Sequence, residues 1–126
     1  MNKLVDNHQT NQIIWLLRIA VAFCFLGHGL IAIGKNAAWI PYLEVFGIKG
    51  DRALEIMFII GVVDILVALF VLIKPFRIVI LWACFWTFAT ALIRPISGES
   101  IWAFIERAPN WITPIALYLF FYRNNT

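Results

Sequence analysis

Residues 13–34 read IIWLLRIAVAFCFLGHGLIAIG. The stretch is apolar for the roughly 20 residues that a helix needs to cross a hydrocarbon core. Arg18 stands about one turn past its start, His28 lies inside the triplet Gly27-His28-Gly29, and Lys35 follows its end. An ionisable group at membrane depth is costly unless it meets a partner or water. The rest of the chain is therefore read for what answers Arg18 and His28.

Composition agrees with a membrane setting. Of 126 residues, 63% are hydrophobic and 13% charged, and the mean hydropathy is +0.87. Such values lie outside those of ordinary soluble domains. The net charge of +3 is spread thinly, with no run of Lys or Arg, which argues against nucleic acid and suits a surface beside anionic lipid.

Four spans follow from hydropathy, at about 13–34, 53–73, 78–93 and 108–122, making an all-α, polytopic four-helix bundle within a membrane domain of residues 13–123. Residues 1–12 read as a polar tail and 124–126 as a polar end. The first apolar run is longer than a signal-peptide core of about 7–15 residues and is read as an uncleaved span. Lys74-Pro75-Phe76-Arg77 is a tight turn, whereas 35–52 and 94–110 are long connections. Trp39, Tyr42 and Phe46 mark the first as an interfacial segment. In the second, Arg94-Pro95 is expected to end a helix and Ser100 to cap a short one over 101–107. Four spans put both termini on one side with the tight turn and both long loops on the other. Lys74 and Arg77, hard against two helix ends, favour termini in the cytoplasm.

Arg18 and His28 are ten residues apart, about 15 Å along the axis and roughly 80° around it, so they need different partners. On the second span, Glu55 and Asp64 fall on opposite faces, nine residues turning the helix by about 900°. Gly61 and Ala68 flank the Asp64 face, and small residues let helices approach closely in lipid. Asp64 is therefore expected in a helix contact, with Arg18 as its intramembrane structural partner. On the loop side, His28, Glu55, Thr87, Thr90, Arg94, Glu106, Arg107 and Asn110 are candidates to line one ligand pocket, roofed by Trp39, Tyr42, Trp102 and Trp111, with Trp86 placed to stack on a ring. An imidazole, a carboxylate and guanidiniums around an apolar cavity suit a quinone headgroup or a small anion. The bland alternatives are a packing histidine, a core or lipid-facing tryptophan and an interfacial Glu106–Arg107 pair.

No catalytic residues are legible. The sequence has no phosphate loop, no Ser-His-Asp or Cys-His set and no metal-ligand spacing. Cys24 and Cys84 form no C-x-x-C motif, and iron–sulfur clusters usually take about four thiolates. With one intramembrane His, two axial haem ligands are not available in one protomer. No cofactor is evident beyond a quinone. Redox chemistry here requires electrons from a partner or from that quinone.

Residues 17–23 (LRIAVAF) followed by Gly27-His28-Gly29-Leu30 and a Lys, then Leu54-Glu55-Ile56-Met57 with Gly61, and the closing run 106–117 (ERAPNWITPIAL) resemble DoxX-like membrane proteins. The resemblance implies a four-helix fold in a bacterial or archaeal cytoplasmic (inner) membrane. Some members of that family are subunits of membrane oxidoreductases that pass electrons from sulfur compounds to quinones, others are tied to thiol and oxidative-stress systems, and many have no known activity. The resemblance implies a quinone-associated or accessory subunit of such a complex, with a membrane or redox protein partner or a homo-oligomer. It extends to Arg18, Gly27, His28, Gly29 and Glu55. Asp64 departs from the expected apolar second helix, and neither cysteine matches a family thiol motif. The other readings are a non-catalytic structural or assembly protein and a small-solute or proton transporter using Arg18, Asp64 and Glu55.

Overall fold

The computed structural model describes residues 3–123, which are helical throughout apart from short connections and contain no strand. The expected ends at 1–2 and 124–126 lie outside the described residues. Helix α1 spans Lys3–Ile33, α2 Ile40–Glu44, α3 Gly50–Ile73, α4 Arg77–Ile96, α5 Ile101–Ile105 and α6 Ala108–Tyr118, which a π-turn continues over Leu119–Arg123.

Helices α1, α3 and α4 are long and apolar enough to cross a membrane. Their outer faces are greasy, with Leu16, Phe23, Ile59, Ile78 and Phe85 each at least 60% exposed. A lipid-facing surface accounts for this pattern, because in a membrane the outside of a bundle can be as apolar as its inside. The fourth expected span, 108–122, corresponds to α6 with its π-turn. At 1.5 Å per residue this segment reaches roughly 24 Å, short of a typical hydrocarbon core of about 30 Å.

Two boundaries differ from expectation. Helix α1 begins at Lys3, upstream of the apolar run. The polar residues before Ile13 include no Gly or Pro, so nothing in them stops the helix at the edge of its apolar stretch. Helix α4 runs through Pro95 to Ile96 rather than ending before it. Near a C-terminus, proline sacrifices only one helical bond, and here the turn closes behind it. Ser97 N–H donates to the Ile93 carbonyl at 2.9 Å and Glu99 N–H to that of Arg94 at 3.1 Å, with Gly98 at φ +113° making the reversal. This is the positive-φ position that favours glycine. Ser100 caps α5 as expected, accepting from the Trp102 N–H at 3.2 Å.

Helix α1 lies along α3 and α4 along α6; α1 also meets α6, whereas α3 and α4 touch far less. The packed core uses Val21, Ala22 and Phe25 of α1, Val67, Ala68 and Val71 of α3, Ile80 and Ala83 of α4, and Leu117 of α6. These residues lie toward the end of the bundle that carries the Lys74–Arg77 turn. Toward the other end, where the two long connections gather, lies a cavity.

Candidate functional site

The cavity is placed by how α1 sits on α3. A Cβ added at Gly29 would stand 2.9 Å from the Gly61 carbonyl oxygen, and one at Gly61 would stand 2.7 Å from that of Gly29. The two backbones therefore touch, and this contact fixes the axial offset of the antiparallel pair. Leu72 lies as far after Gly61 as Arg18 lies before Gly29. Accordingly, Arg18 Nε donates to the Val71 carbonyl at 2.9 Å and its Nη2 to that of Leu72 at 2.5 Å. Its guanidinium stacks 3.9 Å over the Trp15 ring. Arg18 thus serves the last, otherwise unpaired carbonyls of α3, where the helix dipole is negative.

The expected Arg18–Asp64 pair does not form. The same offset carries Asp64 about two turns deeper, to the level of Cys24 and His28. It is 3% exposed, and its Oδ1 meets no hydrogen-bond partner. Helix periodicity gives the face on which Asp64 lies but not its height along the helix pair. The signal that sets the height is the pair Gly29 and Gly61, one small residue on each helix.

The cavity has a volume of about 180 Å³ and mostly apolar walls, among them Phe25, Met57, Ile60 and Trp86. Of the expected site residues, His28, Thr87, Thr90, Arg94, Arg107 and Asn110 line it, and Asp64 and Cys24 join them. Glu55 and Glu106 do not line it. Glu55 is exposed on the outer face of α3, as its position opposite Asp64 requires. Glu106 is exposed and accepts from Arg107 Nη1 at 2.6 Å. Of the expected roof, Trp39 and Tyr42 line the cavity. Trp102 stands 68% exposed, and Trp111 packs against Phe88 and Phe104.

The polar groups divide between two ends. At the loop end, Arg94 Nη1 donates to the Tyr42 hydroxyl at 2.8 Å, its guanidinium lies 4.9 Å above that ring, and Glu99 stands 3.9 Å away. Burial first, then the Glu99 carboxylate, raise the Tyr42 phenol above its ordinary range against the opposing pull of Arg94 and Arg107. Tyr42 thereby keeps its proton. At the deep end, His28 Nδ1 lies 2.8 Å from the Cys24 carbonyl oxygen, and its ring is 5.9 Å from that of Trp39. A carbonyl can only accept, so Nδ1 carries the hydrogen, and in the neutral ring Nε2 presents a lone pair. Thr87 and Thr90 spend their hydroxyl hydrogens on carbonyls of their own helix, at 2.6 Å to Ala83 and 3.1 Å to Thr87.

The cavity thus has the Arg94 guanidinium at one end and the His28 and Asp64 side chains at the other. Among the described residues, no cluster of His, Cys, Asp and Glu is arranged to hold a metal ion. No protein-family model, curated protein or solved structure matches this chain.

Proposed function

We propose that this chain is a four-span membrane protein whose loop-end cavity holds the ring of a quinone-like lipid, as an accessory subunit of a membrane oxidoreductase. The observation that carries the reading is the cavity itself, about 180 Å³ with mostly apolar walls, between an Arg94–Tyr42 end and a His28–Asp64 end. Apolar cavities near 150 Å³ take up benzene, so one substituted six-membered ring is the right size. Arg94 and Tyr42 suit a ring oxygen at the mouth, and Trp39 and Trp86 supply stacking faces. The bound ring would bring the redox chemistry, while this chain's residues position it and exclude water. The α6 segment completes the fourth span by leaning on α5 and local bilayer thinning. The termini face the cytoplasm, and the membrane is the cytoplasmic membrane of a bacterium or archaeon.

The competing reading is an assembly protein. One observation favours it, since Gly27 lies on an exposed face of α1 where an added Cβ would meet nothing within 4 Å. The transporter reading has less support, because Arg18, Asp64 and Glu55 do not share a path.

Purification of the native protein in mild detergent, followed by extraction of its lipids, tests the proposal. A quinone-associated subunit carries down quinone and a stoichiometric redox protein. A partner without quinone supports the assembly reading, and neither quinone nor redox partner refutes the proposal.

A further inference from the structure

Asp64 is a carboxyl group 3% exposed, on the wall of an apolar cavity, with an oxygen that no group among the described residues pairs. A buried acceptor left in this state costs free energy, so such a group calls for an explanation. Arg18, the one cation of α1 within the span, is committed to the carbonyls of Val71 and Leu72. His28 stands at the same level, and its Nδ1 is committed to the Cys24 carbonyl, so that in the neutral ring Nε2 is an acceptor. The Thr87 hydroxyl hydrogen is likewise committed, to Ala83. The Cys24 thiol at the same level lies 3.6 Å from His28 Nδ1, and among the described residues none donates to Asp64 Oδ1.

We propose that the deep end of the cavity selects the hydroxylated, hydroquinone form of the ring over the dione, with Asp64 Oδ1 and His28 Nε2 as the groups that receive its hydroxyl hydrogen. This rests on the quinone reading above and adds the redox form that the site prefers. With Asp64 ionised and His28 neutral these groups only accept, so a dione turns a carbonyl oxygen toward them lone pair against lone pair. A hydroquinone turns an O–H toward them and satisfies the orphaned oxygen. Sites that hydrogen-bond a hydroxyl discriminate strongly against analogues that lack it, because their buried polar groups are then left unpaired. The loop end does not discriminate in this way. Arg94 can donate to a ring oxygen in either form through the N–H groups that its bond to Tyr42 leaves over.

The test is anaerobic equilibrium dialysis of the detergent-solubilised protein against protein-free micelles. The probes are 2-decylhydroquinone, the matching 2-decyl-1,4-benzoquinone and the O,O-dimethyl ether of the hydroquinone. The expected preference for the hydroquinone over the dione is about tenfold or more, the ether binding no better than the dione. Asp64→Leu should bring the two forms within about twofold of each other, chiefly by weakening the hydroquinone. Asp64→Asn, which keeps an acceptor oxygen, should retain part of the preference. Equal affinities in the wild type, a preference for the dione, or an undiminished preference in Asp64→Leu would overturn the inference while leaving the quinone reading in place. Binding of none of the three probes would overturn both.

Discussion

The glycines on either side of His28 are chemically identical and structurally opposite, which makes them a matched pair. An alanine methyl at Gly29 would lie 2.9 Å from the Gly61 oxygen, 2.9 Å from Ile65 Cγ1 and 3.1 Å from Asp64 Cβ. Comfortable contacts between carbon atoms are about 3.5–4.0 Å. Helices α1 and α3 must therefore part locally by roughly 0.5–1 Å, and forcing a methyl into packed structure costs about 1–3 kcal/mol. The same methyl at Gly27 would meet nothing within 4 Å. Alanine's advantage over glycine in a helix, about 1 kcal/mol, applies to both variants and cancels in the comparison. Gly29→Ala should therefore be less stable than Gly27→Ala by about 1–3 kcal/mol. Unfolding by SDS titration from mixed micelles, followed by tryptophan fluorescence and circular dichroism, reads the difference. Equal stabilities, or a more damaging Gly27→Ala, would refute the backbone contact from which the whole site is placed.

Three further outcomes follow. Arg18→Met strips the α3 carbonyls of two charge-assisted bonds and should cost about 2–4 kcal/mol in the same assay. In a double-mutant cycle with Asp64→Leu, the coupling should stay below about 0.5 kcal/mol, since no ion pair joins the two sites; a value near that of a buried pair would restore it. Asp64→Leu alone removes an unpaired buried acceptor and should stabilise the protein by about 1–3 kcal/mol, and a clear loss of stability would mean that the carboxyl has a protein partner. Because the Tyr42 phenol is raised in the folded state, its contribution is complete below the unfolded value of about 10 and is lost as pH rises through the raised one. Alkaline unfolding curves should therefore flatten in Tyr42→Phe, and an unchanged pH dependence would contradict the buried phenol.

Much of the site is written in helix periodicity. The threefold and fourfold spacing of Ala83, Thr87, Thr90 and Arg94 marks one face of α4, and Thr87, Thr90 and Arg94 line the cavity. The opposition of Glu55 and Asp64 on α3 likewise follows from rotation alone. Periodicity states which face of a helix is buried, but not how far it slides along its neighbour. For that reason periodicity alone pairs Asp64 with Arg18, whereas the glycine contact sets it beside His28. Glu55 illustrates a second limit. It lies at the loop level of its helix, yet the face that carries Asp64 inward carries Glu55 outward. The Arg94–Tyr42 contact joins α4 to a five-residue helix, and a connection that irregular has no period from which its docking can be read. Pro95 shows the same limit at a boundary, where the outcome depends on the bonds made by Ser97, Gly98 and Glu99 behind it.

The proposed quinone site between Arg94–Tyr42 and His28–Asp64 can be probed in place. Photo-crosslinking of the protein in lipid vesicles with an azido-benzoquinone, followed by peptide mapping, tests it most directly. Adducts are expected on the α1 segment around His28 and the α4 segment from Trp86 to Arg94, suppressed by excess 2-decylhydroquinone. Adducts confined to the outer faces of the helices, at Phe23, Ile59 or Phe85, or no adducts at all, would contradict it.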